Sequence, residues 1–266
     1  MTTIETIRSW QIETEWDKTG AYNMLRDEKL ARNLLNDPTA PNILRLYTWK
    51  PYAISLGYMQ SEESIDLAAC AEAGIDVVRR PTGGRAVFHA EELTYAVIMR
   101  SDPSEGIYAT HNRITKALLD SFATLQTCSD TLQLTRRENT TREAYQGSGP
   151  KNIACFASSS RHEALYNGKK FLGSAQRRFG DVILQHGSIL LGPEHLRLPE
   201  FLKLSEDRRN EMSALLQTET ATLSEAMGRT ITAPEAADCL RNGFVDHFCA
   251  AEYDKETKTS VDLVTL

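Results

Sequence analysis

Apolar residues recur at helical spacing from Asp17 to Asn36, where Tyr22, Leu25, Leu30, Leu34 and Leu35 predict an amphipathic helix ending before Asp37-Pro38. The next two runs, ILRLYTW and AISLGY, are short and β-type, and Lys50-Pro51-Tyr52 between them predicts a hairpin or a corner. Trp49 and Tyr58 read there as strand core, with a pocket wall as the alternative. A helix ends over Cys70 to Gly74, Ile75 to Val78 forms a strand, and the nearly continuous apolar run Leu93 to Met99 predicts a buried strand. Ile107 to Leu125 is helical, with Ile114, Ala117, Leu118, Phe122 and Leu125 on one side.

Arg136 to Pro150 is polar and punctuated by Gly and Pro, which predicts a surface loop or mobile element. The pattern then becomes β: ALY, KKFLGSAQRRF and VILQHGSILL read as a three-stranded meander, because Asn167-Gly168 suits a tight hairpin turn and Gly180-Asp181 marks the second reversal. Alternation along the middle strand places Lys170, Leu172, Ser174, Gln176 and Arg178 on one face, with Phe171, Gly173, Ala175 and Arg177 on the other. The last third is helical: Leu202 to Leu216, Leu223 to Met227 closed by Gly228, and Pro234 to Ala250. The last of these opens with Thr232 and Glu235 at capping-box spacing and carries Leu240, Phe244 and Phe248 on one face.

Composition narrows the class. At 266 residues, 41% hydrophobic and 25% charged, the chain fits one large α/β domain, with a helical C-terminal segment from about residue 200. No run reaches the roughly 18 apolar residues of a membrane span, and the acidic, polar start is unlike a signal peptide, so a cytoplasmic protein without a membrane role is expected. Five scattered cysteines without CxxC pairs suggest neither a disulfide framework nor a structural zinc site. A net charge of −6, with no basic appendage, argues against nucleic-acid binding.

Candidate chemistry gathers in three places. Arg79-Arg80-Pro81-Thr82-Gly83-Gly84-Arg85 lies between two strands, where paired glycines let backbone amides approach a ligand; a solvated turn is the plainer reading. It lacks the ending of a P-loop. Lys170 either reaches into a cleft or blunts a hairpin end, and Cys155, flanked by small residues in NIACFASSS, is either an accessible nucleophile or a small buried hydrophobe. His89 and His186 are the nearest histidines, each a possible base or a structural residue.

Taken together, RRPTGGRAVFHAEELTYAVI (79 to 98) and GKKFLGSAQRRFGDVILQHGSILL (168 to 191) resemble the two signature regions of the lipoate–protein ligase, octanoyltransferase and biotin–protein ligase superfamily, and the resemblance covers most of the chain. It implies a central mixed, largely antiparallel sheet flanked by helices. ATP-using lipoate ligases usually carry a GRND-like segment and often a small additional C-terminal domain, both missing here. Ala154-Cys155-Phe156-Ala157 instead resembles the ACFA segment of LipM-type octanoyltransferases, whose cysteine holds the acyl group as a thioester.

The resemblance then implies Cys155 as the acyl-accepting nucleophile and Lys170 as the lysine that holds the acyl carbonyl. Arg80, Thr82, Gly83, Gly84 and His89 would shape the acyl pocket, and Gly173, Ser174, Ala175 and His186 would join them in substrate binding. No cofactor or metal is implied. The expected donor is octanoyl-acyl carrier protein, and the expected acceptor is a lipoyl-accepting domain, of a glycine cleavage H protein or a 2-oxoacid dehydrogenase E2. The enzyme is expected to be a monomer. Arg79, Arg80, Arg85, Lys169, Lys170, Arg177 and Arg178 would offer such acidic partners a local positive patch. The competing readings are an ATP-dependent lipoate ligase and an acyl-binding regulatory relative without catalysis.

Overall fold

In the computed structural model, which describes residues 2–7, 9–102, 104–125, 133–136 and 162–262, the chain opens with two strands that its polar composition hides. β1 (Thr2–Ile7) and β2 (Trp10–Lys18) pair antiparallel, and Glu13 and Glu15 are as buried in β2 as Trp10 and Ile12. Arg26 and Arg45 make that burial possible, with Nη2 of Arg26 2.7 Å from Glu13 and Nε of Arg45 2.6 Å from Glu15.

Thr19 caps α1 (Gly20–Asn36) by accepting the Tyr22 N–H. The helix is the one expected, but its inner face differs from the leucine pattern. Tyr22, Leu25 and Leu35 are exposed, while Asn23, Met24, Asp27, Leu30, Ala31 and Leu34 are buried. Two polar residues occupy the inner stripe because each finds partners there, so a count of apolar positions alone rotates the face.

β3 (Asn42–Trp49) and β4 (Ala53–Leu56) join different sheets, so the break between them is a corner and not a hairpin. After α2 (Leu67–Glu72), β5 (Asp76–Arg79) and β6 (Val87–His89) flank β4 in a three-stranded sheet. β7 (Glu92–Arg100) returns to the main sheet, buried over nearly its whole length as its apolar run predicts. α3 (Ile107–Phe122), β8 (Gln133–Arg136), β9 (His162–Tyr166), β10 (Lys169–Phe179) and β11 (Val182–Leu190) follow. The loop predicted from Arg136 to Pro150 lies, after Arg136, outside the described residues.

The main sheet runs β1-β2-β3-β7-β11-β10-β9-β8, and only β2 and β3 are parallel, which is the mixed, largely antiparallel architecture expected. The predicted meander forms, and Asn167 and Gly168 turn its first hairpin with φ of 48° and 77°.

The predicted helix from Leu202 starts later, as α4 (Glu206–Glu219). A 3-10 segment (Pro193–Phe201) precedes it, and Leu202 and Lys203 are extended because they bridge to Ile65 and Ser64. α5 (Leu223–Met227) has a full capping box at Thr222 and Glu225, and α6 (Ala233–Asp262) runs further than predicted.

α3 and α6 cover one face of the main sheet, where Trp10 packs edge-on against Phe244 and Phe248. α1 covers the opposite face over Ile98 and Leu184, and the small sheet builds a third apolar cluster with the 3-10 segment and α4. Among the described residues no helix is long and apolar enough to cross a membrane.

Candidate active site

Strand register lays two rows of side chains across four strands on the face toward α1. One row is Tyr47, Thr94, Ser188 and Gly173; the next is Arg45, Ala96, His186 and Ala175. Large side chains on β3 give way to glycine and alanine on β10, and the space they leave is a cleft. Met24 from α1, Trp49 at the sheet corner, and Ser55, Arg80 and His89 from the small sheet and its loop close it.

The Gly-Gly loop is a braced wall and not a free turn. Arg80 directs its five N–H groups to Ser55 O and Oγ, Gly83 O twice, and Arg85 O, at 2.8–3.2 Å. Arg79 holds the carbonyls of Gly57, Tyr58 and Gln60, and Arg177 donates to Pro81 O at 2.8 Å while lying over the exposed Tyr58 ring. Gly84 has φ +101°, and a Cβ on Gly57 would stand 2.0 Å from Gly84 O, so two loops interlock at glycines. Much of the predicted positive patch thus holds loop carbonyls.

Two buried histidines sit in the wall. His89 lies flat on Trp49, with centroids 3.9 Å apart; its Nδ1 is 2.7 Å from Glu92 Oε1 and its Nε2 is 2.7 Å from Ser55 Oγ. His186 Nδ1 is 2.9 Å from Asp27 Oδ2, and its Nε2 is 2.7 Å from Thr82 Oγ1. Burial pushes the His186 imidazole below its ordinary value, more than Asp27 pulls it up, so the ring is neutral with Nδ1–H donating to Asp27 and Nε2 accepting from Thr82. Burial alone would raise the Asp27 carboxyl, but the Arg45 guanidinium, with His186 and Tyr47 donating, holds it below the usual range as a carboxylate.

Lys170 shows where alternation misleads. It pairs with Leu165 and Leu172 pairs with the adjacent Ala164, so Phe171 is an extra residue in a β-bulge. Phe171 and Leu172 consequently both enter the core beneath α3 and α6. Adjacent partners on β9 face opposite ways, so Lys170 is turned onto the face of Gly173 and Ala175, not the face of Leu172 and Ser174 that a regular strand predicts.

Of the predicted site residues, Arg80, His89, Gly173, Ser174, Ala175 and His186 line the cleft. Thr82 stands one hydrogen bond behind His186, and Gly83 and Gly84 are on the exposed side of the loop. Lys170 is buried on the same face, and Cys155 lies outside the described residues. Sequence reasoning missed Asp27, Tyr47, Ser55, Glu92, Thr94 and Ser188. Their signal was polarity inside otherwise apolar runs, as in ELTYAVIM and HGSILL. Among the described residues no group of three or more His, Cys, Asp or Glu side chains is placed to hold a metal.

Gly187 is also among the lining residues, and a Cβ there would meet Gly173 O at 2.4 Å and the Tyr95 ring at 2.8 Å. Gly187→Ala must therefore push β10 and β11 apart. A loss of about 1–3 kcal/mol in urea unfolding is expected, and an unchanged midpoint would contradict this packing.

Residues 19–245 match the lipoyl protein ligase A/B catalytic domain family. The chain is 36% identical to octanoyltransferase LipM of Symbiobacterium thermophilum, over 89% of this chain and 85% of that protein. It is 32% identical to octanoyltransferase LipM of Bacillus subtilis, over 89% and 85%. Among solved structures it superposes on a bipartite lipoate protein ligase from Thermoplasma acidophilum with a TM-score of 0.65 and 22% identity, covering 88% of this chain and 82% of that one. Lipoate-protein ligase A bound with ATP gives a TM-score of 0.63 at 22% identity, over 88% and 82%. At that identity the two structures speak to fold alone.

Proposed function

Because the chain belongs to the lipoyl protein ligase A/B catalytic domain family, we propose that it is an octanoyltransferase, moving octanoyl from acyl carrier protein to a lysine of a lipoyl-accepting domain. The observation that carries this reading is identity of 31–36% to curated LipM octanoyltransferases over more than four fifths of the chain. The cleft supports it: Met24, Trp49 and Val87 give it apolar walls, and the small residues Gly173 and Ala175 leave the room beside them that an unbranched chain would take. We read the whole chain as a single catalytic domain that acts as a monomer.

In the proposed chemistry the Cys155 thiolate attacks the carrier-bound thioester, a new Sγ–C bond forms, and the carrier leaves as its thiol. The acceptor lysine amine then attacks this second thioester, giving an amide, releasing Cys155 and losing one proton. Exchange between thioesters is close to thermoneutral and the amide is more stable, so neither step requires ATP. Lys170 would donate to the carbonyl oxygen as it gains negative charge, and its turn onto the cleft face supports that role. Lys170→Ala is expected to slow acyl-enzyme formation by about 10²–10³-fold, measured in single turnover. A loss below threefold would remove Lys170 from the chemistry.

The functional reading is tested with purified enzyme, octanoyl-acyl carrier protein and a lipoyl domain, without ATP. One octanoyl group on the acceptor lysine, found by intact mass, supports it. The alternative is an ATP-dependent lipoate ligase, and transfer only from lipoate plus ATP would replace this reading with that one.

A further inference from the structure

Resting on the reading of the cleft as the acyl site, we infer that Glu92 and Asp27 select which acyl chains enter, by turning the hydrogen-bond donors of the buried wall away from the chain. Glu92 Oε1 collects three of them: His89 Nδ1–H at 2.7 Å, Thr94 Oγ1–H at 2.5 Å and Ser188 Oγ–H at 2.9 Å. Two further donors stop one residue short of it, Trp49 Nε1–H on Thr94 Oγ1 and Ser55 Oγ–H on His89 Nε2, both at 2.7 Å. Asp27 Oδ2 takes the Tyr47 hydroxyl at 2.8 Å and His186 Nδ1–H at 2.9 Å.

A hydroxyl has one proton, so each of these hydroxyls, once committed inward, offers the cleft only a lone pair, and the engaged ring nitrogens of Trp49, His89 and His186 offer it neither donor nor acceptor. The Arg80 guanidinium is committed likewise, all five of its N–H groups being engaged by Ser55, Gly83 and Arg85. The exception is Ser174, which is half-buried. Gln185 Nε2 donates to Tyr95 Oη at 3.0 Å, and the Tyr95 and Ser174 hydroxyls share one bond at 2.7 Å in which either can donate, so of their two protons one is left over.

The deep wall therefore presents carbon and oxygen lone pairs. A saturated chain is accepted. An oxo group placed against this deep wall, away from Ser174, leaves its hydrogen bonds to water behind and meets only acceptors. A hydroxyl on the same carbon can donate to Ser55, Thr94 or Ser188. An indifferent apolar pocket would reject the two oxygens alike; this wall separates them by the direction of the proton.

The test compares octanoyl with the 6- and 7-hydroxyoctanoyl and 6- and 7-oxooctanoyl thioesters on acyl carrier protein, using full-length enzyme and a lipoyl domain. The expected result is a kcat/KM about tenfold or more higher for the hydroxyl than for the oxo partner at one of the two carbons. Glu92→Met unties His89, Thr94 and Ser188 and is expected to bring that ratio toward one. Equal rejection by wild type at both carbons, a preference for oxo, or an unchanged ratio in a folded Glu92→Met enzyme overturns the inference. If Glu92→Met does not fold, the wild-type pair decides it alone. Wild-type enzyme that fails to transfer octanoyl itself points instead to failure of the functional reading.

Discussion

Cys155→Ala is expected to carry no octanoyl group after incubation with octanoyl-acyl carrier protein, and to lose transfer to the lipoyl domain by on the order of 10⁴-fold or more. An acyl group moved in two steps has to wait on a nucleophile, and a thiolate is the side chain that attacks a thioester and is displaced again by an amine without a large barrier either way. Wild type is expected to show one octanoyl group that hydroxylamine removes. A cationic neighbour would lower the thiol pKa and raise the thiolate fraction near neutral pH. Cys155→Ser would form an oxygen ester, which an amine displaces more slowly, and is expected to trap acyl-enzyme rather than to turn over. A Cys155→Ala protein that still gains octanoyl would place the nucleophile elsewhere, and resistance of that mass to hydroxylamine would identify an amide on a lysine.

Asp27→Ala is expected to have the largest effect on stability, about 3–5 kcal/mol in urea unfolding. Arg45 is fully buried and its Nη1 is 2.7 Å from Asp27 Oδ1; without that carboxylate only Glu15 remains to neutralise it. Tyr47 and His186 lose their acceptor in the same step. The acid profile follows from the same groups. Asp27 is held below its ordinary value of 3.8 in the fold, so the unfolded chain binds the proton first. Its stabilisation is complete above about pH 4 and is lost as pH falls further. His186 acts earlier: burial keeps it neutral, whereas an unfolded imidazole protonates below about pH 6.5, so stability begins to fall there. Wild type should therefore lose stability in two stages on acidification, and Asp27→Ala should show a smaller lower stage, keeping the part that Glu15, also held below its ordinary range beside Arg45, contributes. An unfolding midpoint near wild type in the variant would show that the Arg45 site has relaxed or admits water.

The parts of this fold that sequence makes plain are those whose local signal agrees with their tertiary setting. The meander is legible because Asn167-Gly168 favours the positive φ values its turn needs, and β7 because a strand covered on both faces is apolar throughout. β2 was not legible: Glu13 and Glu15 look like solvent positions until the arginines that neutralise them are placed, 13 and 30 residues away. The same reason hid the inner face of α1, where Asn23 and Asp27 replace the apolar residues that periodicity seeks. The site divides similarly. Motif residues such as Arg80, His89 and His186 were visible as a set, but Glu92, Thr94 and Ser188 acquire meaning only through register, which brings them together across β7 and β11.

The bulge at Phe171 bears on how this protein can be rebuilt. The direction of Lys170 is a property of the β9–β10 hairpin, set by one surplus residue whose ring is anchored beneath α3 and α6. A lysine grafted at the matching place of an unbulged strand would point into the core. A chimera between relatives that differ here therefore has to exchange the hairpin from His162 to Phe179 as one cassette, together with the residues that receive the Phe171 ring.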